Sequence, residues 1–140
     1  METDERGADR PASVVGVMTV DDQEVFRQAA KEVIEATAGF RHVGEASCGQ
    51  EAIALAGEVG PDLVLVDVRM PGIDGFETVR RIRASHPAST VVLISMAGFD
   101  ACASGFASCG AAAFVAKEDF GPSVLRQLWA EHGGRQPANP

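Results

Sequence analysis

The chain has 140 residues, 46% of them hydrophobic and 23% charged, with a formal net charge of -8. That is enough for one domain with a real core and too little for two of ordinary size. An acidic chain lacks the clustered Lys and Arg of a nucleic-acid surface, and no apolar run reaches membrane-spanning length, so direct nucleic-acid and membrane partners are not expected.

The start, Met1 to Arg6, is charged and has no apolar signal core. Cys48, Cys102 and Cys109 are an odd number without metal-ligand spacing. Both features predict reduced thiols in a cytoplasm.

Residues 1–12 are polar and read as a loose arm, 13–131 as the folded domain, and 132–140 as a linker-like tail. The run Val14 to Val20 predicts a central strand that ends on Asp21 and Asp22. Val25, Phe26, Ala29, Ala30, Val33 and Ile34 repeat at helical spacing, with Gly39 closing that helix. Val43 to Ala46 reads as a short second strand. Gln50 to Glu58 reads as an amphipathic helix stopped by Gly60-Pro61.

The stretch 62–68 contains four branched apolar residues in a row, Leu63 to Val66, the pattern of a strand buried on both faces. It delivers Asp67 at its C-terminal end, ahead of turns at Met70-Pro71-Gly72 and Asp74-Gly75. Phe76, Val79 and Ile82 line a third helix that ends by Pro87. Thr90 to Ile94 is a further buried-type strand, finishing at Ser95. Asp100 to Ser108 reads as a weak helix of small residues around Gly105, and Ala112 to Ala116 as a fifth strand ending at Lys117. Pro122 opens the last helix, marked by Val124, Leu125, Leu128 and Trp129. Strands alternating with helices predict an α/β fold, a five-stranded parallel sheet covered on both faces.

In such a sheet the C-terminal strand ends converge on one edge, where ligands bind. Asp21, Asp22, Asp67, Ser95 and Lys117 all fall there. Three carboxylates repel one another unless a cation is present. Together with a backbone carbonyl they suit a hard divalent ion, and Mg²⁺ is the natural choice. A carboxylate beside a metal and a Lys can act as a nucleophile toward phosphorus and form an aspartyl phosphate. The ammonium and the Ser95 hydroxyl would then meet the phosphoryl oxygens.

The chain resembles the receiver domains of bacterial two-component response regulators from about Val14 to Trp129. The matching features are Val20-Asp21-Asp22, Asp67 within Val-Asp-x-x-Met-Pro-Gly-x-Asp-Gly, Ser95 after Val-Val-Leu-Ile, and Phe114-Val115-Ala116-Lys117. The resemblance implies a flavodoxin-like (βα)5 three-layer sandwich with strand order 2-1-3-4-5. It implies that Asp67 accepts phosphoryl from a sensor histidine kinase or a phosphotransfer protein. Asp22, Asp67 and the backbone carbonyl of Arg69 would ligate Mg²⁺ directly, and Asp21 through water. Ser95 and Lys117 would contact the phosphoryl group, with Ser95 and Phe114 changing position on activation. Output would pass to a downstream protein partner or a homodimer.

Two departures from the family stand out. Glu118 follows Lys117 where Pro is usual, as in some DNA-binding regulators, so a receiver cut from a larger transcription factor is one alternative. Met96 follows Ser95 where a small residue is usual, and a thioether covering the site predicts slowed phosphotransfer or hydrolysis. A phosphorylation-independent interaction module is a further alternative. A Mg²⁺-dependent phosphohydrolase would need an acid two residues beyond Asp67, where Arg69 stands; such catalysis is not expected beyond the chain's own phosphotransfer and dephosphorylation. A flavin binder would need a Ser/Thr/Gly loop after the first strand, where acids stand.

Overall fold

The computed structural model describes residues 14–133. Five strands and five helices alternate: β1 (Val15–Val20), α1 (Glu24–Ala36), β2 (Phe40–Ala46), α2 (Gly49–Val59), β3 (Leu63–Asp67), α3 (Gly75–Ser85), β4 (Thr90–Ser95), α4 (Phe99–Cys109), β5 (Ala113–Ala116) and α5 (Pro122–His132). The strands form one sheet in the order β2-β1-β3-β4-β5, and every neighbouring pair is parallel.

Side chains alternate across the central strands, so each strand feeds two cores. Met18, Val20, Val64, Val66 and Leu93 face one layer, where they meet Ala52 and Ala56 of α2, Val79 and Ile82 of α3, and Cys102 and Cys109 of α4. Val17, Leu63, Leu65, Val92 and Ile94 face the other, against Ile34 of α1 and Leu125 and Leu128 of α5. Burial on both faces explains why β1, β3 and β4 read as continuous apolar runs. Cys102 and Cys109 are packing residues, and all three cysteines are free thiols. No described helix is long and apolar enough to cross a membrane.

Several boundaries differ from the sequence reading, each for a local reason. β2 begins at Phe40 rather than Val43. Val15 N–H donates to the Gly39 carbonyl at 2.8 Å, and pairing starts at Val15–Phe40, so the ladder runs through residues with little apolar signal. The register shifts between Val17 and Met18, where Val43 is the extra residue. α1 ends before Gly39. Thr37 Oγ1 donates to the Val33 carbonyl at 2.6 Å, and Gly39, at φ +90°, makes the turn that follows. Val25 belongs to the helical repeat yet is 84% exposed; the buried stripe of α1 is Ala30 and Ile34.

Gly60 caps α2 at φ +56°, and Pro122 opens α5. Residue 132, where the sequence predicts the tail to begin, is the last residue of α5. The arm 1–12 and the rest of that tail lie outside the described residues.

Candidate functional site

Parallel strands all point the same way, so the ends of β1, β3, β4 and β5 open onto one edge of the sheet. Asp21 is fully buried just beyond β1, and Asp22, one residue on, is exposed. Asp67 closes β3 at 6% exposure, Ser95 closes β4 at 2%, and Lys117 follows β5 at 8%. A short 3-10 turn, Lys117–Asp119, that the sequence does not announce carries the lysine into the edge. Asp22, Asp67, Arg69, Ser95 and Lys117 all line one open cleft of about 520 Å³.

The ammonium of Lys117 organises the interior of this cleft. Its Nζ lies 2.7 Å from Asp21 Oδ2 and 3.5 Å from Asp67 Oδ1. It donates to Gln23 Oε1 at 3.3 Å and sits 4.8 Å from the centre of the Phe26 ring. The closer pairing with Asp21 leaves Asp67 only loosely neutralised. Burial, and next the neighbouring Asp21 charge, raise the Asp67 carboxyl from 3.8 to about 6, against the opposing pull of Lys117. Lys117 alone does not balance three acids.

Asp21, Asp22 and Asp67 each offer a carboxylate oxygen, and these atoms lie within 4.8 Å of one another. Hard oxygens, excess negative charge and one solvent-facing member are what Mg²⁺ takes, because it keeps several of its waters. The donor set fits such an ion.

The raised Asp67 has a measurable consequence. A carboxyl whose folded pKa lies above its unfolded one binds the extra proton in the folded state, so stability falls as pH rises from about 4 to about 6. A shift of this size is worth about 3 kcal/mol at full effect, and solvent at the open cleft reduces that to ~1–2 kcal/mol. Asp67→Asn is expected to stabilise the metal-free protein by that amount at pH 7 and to leave it unchanged near pH 4. Urea unfolding at the two pH values checks both halves.

Ser95 Oγ accepts the Ala97 N–H at 3.0 Å and lies 4.0 Å from Cys102 Sγ, which links the end of β4 to α4. Phe114 is partly buried on β5, with its ring centre 5.4 Å from that of Phe99, which stacks edge-on with Phe106 at 5.5 Å. Met96 is 79% exposed and lines the cleft beside Ser95 and Ala97. Asp74 is more than a turn residue. Its side chain caps α3 by accepting the Glu77 N–H at 2.9 Å.

Sequence reasoning missed Gln23 and Phe26. Both touch Lys117 from the start of α1, more than ninety positions away, and no local pattern announces such a contact.

The sequence profile of the response regulator receiver domain matches residues 17–129. Response regulator GacA of Pseudomonas aeruginosa is 35% identical over 104 residues, covering 74% of this chain and 49% of GacA. The chain thus spans about half the length of the curated relatives it matches. A LuxR-family two-component response regulator from Aurantimonas superposes with a TM-score of 0.76 at 32% identity, over 85% of this chain and 84% of that one. The signal receiver domain of a NarL response regulator from Mycobacterium tuberculosis superposes with a TM-score of 0.77 at 29% identity, over 84% and 95% of the two chains.

Proposed function

The chain belongs to the response regulator receiver domain family, and from that premise we propose that it is a phosphoryl-controlled switch with Asp67 as the acceptor. The observation that carries this reading is the Lys117 ammonium between Asp21 and Asp67, closer to the former. It holds countercharge beside Asp67 without tying that carboxylate into a tight pair.

In the proposed reaction an Asp67 oxygen attacks the phosphorus of a phosphohistidine on a kinase or phosphotransfer protein. The P–O bond forms as the P–N bond breaks, and the departing nitrogen keeps the electron pair. Asp22, Asp67 and the Arg69 carbonyl would hold Mg²⁺ directly, with Asp21 behind a water; when bound, the ion supplies positive charge against the phosphoryl oxygens. Lys117 follows the charge as it leaves Asp67, and the Ser95 hydroxyl gives up Ala97 N–H to meet a phosphoryl oxygen.

Moving Ser95 releases its contact with Cys102 and so reaches α4. That helix has little stability of its own, with Gly105 and two serines among small residues. Its surface meets β5 through Phe99 and Phe114, which makes this face the proposed route to a downstream protein or a second copy. Amide hydrogen exchange over 98–110 is expected to change by roughly tenfold or more when a beryllofluoride mimic of the phosphoryl group is added with Mg²⁺. Identical protection in both states would contradict the switch.

A second reading, a receiver working as part of a longer DNA-binding regulator, draws on the GacA match, which covers only 49% of that protein. The mass of the protein expressed from its own chromosome separates the two.

A further inference from the structure

The turn that carries Asp21 and Asp22 is held by a side chain from the next turn of α1. Arg27, with a side chain only 16% exposed, donates from Nη1 to the backbone carbonyl of Asp21 at 2.8 Å. Its Nε donates to Glu45 Oε1, near the end of β2, at 2.6 Å. Asp21 is fully buried, so its carbonyl has to find a donor within the protein.

That carbonyl belongs to the peptide unit joining Asp21 to Asp22. A bond to it sets the plane from which the second acid departs. The first acid is fixed from other sides: Asp21 N–H donates to the Ala46 carbonyl at 3.0 Å, and Asp21 Oδ1 accepts the Gln23 N–H at 2.8 Å. With all three in place, the peptide plane and the buried carboxylate have little freedom left.

We infer that Arg27 is a positioning residue for the divalent-cation site, aiming the Asp22 carboxylate through the Asp21 peptide while Glu45 anchors the guanidinium. The inference rests on the reading of the three acids as a Mg²⁺ site. The planar fork of Arg delivers two donors in a fixed relation, which matches a carbonyl on one element and a carboxylate on another. Glu45 also cancels a positive charge that would compete with the cation. Partners that orient metal ligands from behind are worth 10–100-fold in metal affinity when removed, a size well within measurement.

The test is a Mg²⁺ titration of the unphosphorylated protein, followed by calorimetry and by the amide shifts of Asp22 and Gln23. Arg27→Ala is expected to bind roughly tenfold more weakly, and Arg27→Lys, which keeps one donor for the carbonyl, to recover most of that loss. Without metal, exchange at the Gln23 amide should speed up in Arg27→Ala while β3 amides stay as they were. A folded Arg27→Ala that binds Mg²⁺ within twofold of wild type overturns the role of Arg27 alone. Wild type that takes up no Mg²⁺ at millimolar concentration overturns the metal reading and this inference with it. Should Arg27→Ala fail to fold, Glu45→Gln carries the test. It keeps an acceptor but leaves the guanidinium charge uncancelled, so affinity should fall severalfold, and unchanged affinity overturns the inference.

Discussion

Gly75→Ala is expected to cost about 3 kcal/mol of stability and to slow phosphate uptake at Asp67 by roughly 100-fold. Gly75 is the first residue of α3, and its N–H donates to the Val68 carbonyl at 2.8 Å, folding the helix start back onto the end of β3. A Cβ at this position would lie 2.2 Å from the backbone oxygen of Asp67 and 2.7 Å from Val68 Cα. Those atoms are main chain and cannot turn aside as a flexible side chain would. Either α3 moves away from the sheet or the Asp67 backbone moves, and both disturb the acceptor. A shift of about 1 Å at a reacting group is enough for a loss of that order. Gly98→Ala is the control, since a Cβ there meets nothing within 4 Å and its φ is -69°. Urea unfolding and acetyl phosphate kinetics on the two variants should separate by both measures. A Gly75→Ala protein with wild-type stability would show that the approach of α3 to Asp67 is looser than these distances say.

Lys117→Ala is expected to destabilise the metal-free protein by about 3–5 kcal/mol, the usual cost of removing one partner from a buried ion pair. Asp21 has no exposure, and its nearest cation is the ammonium 2.7 Å away. Taking that away leaves Asp21 and Asp67 facing each other without countercharge. Millimolar Mg²⁺ should return part of the loss, because a second cation then sits among the same oxygens. Phosphate uptake should stay low even so, since the charge that accompanies the phosphoryl group is gone. Thermal unfolding with and without Mg²⁺ checks the stability half. A loss below about 1 kcal/mol would place the pair among exposed ones.

Much of the fold was legible because the residues with chemistry stand where apolar runs stop. Leu63 to Val66 followed by Asp67, and Val91 to Ile94 followed by Ser95, announce buried parallel strands and their functional ends together. Helix stops at Gly60 and the start at Pro122 were readable for the same reason, since the backbone demands those residues there. What stayed hidden depends on contacts across the chain. The start of β2 at Phe40 is set by its partner Val15, not by any pattern in Phe40-Arg41-His42. Thr37, and not Gly39, closes α1, because a threonine hydroxyl can reach back to the Val33 carbonyl. Val25 matched the helical period, yet it stands 84% exposed at the start of α1, away from the buried Ala30 and Ile34. The ring of groups around Lys117 shows only once the 3-10 turn after β5 meets the start of α1.

The central claim is that Asp67 accepts the phosphoryl group with the help of Mg²⁺. Intact mass after incubation with acetyl phosphate, with and without Mg²⁺, for wild type and Asp67→Ala, tests it most directly. The expected result is a gain of one phosphoryl group in wild type that requires Mg²⁺ and is absent from the variant. No gain in wild type, with a histidine kinase also failing as donor, would contradict the claim and leave a receiver fold that works through contacts alone.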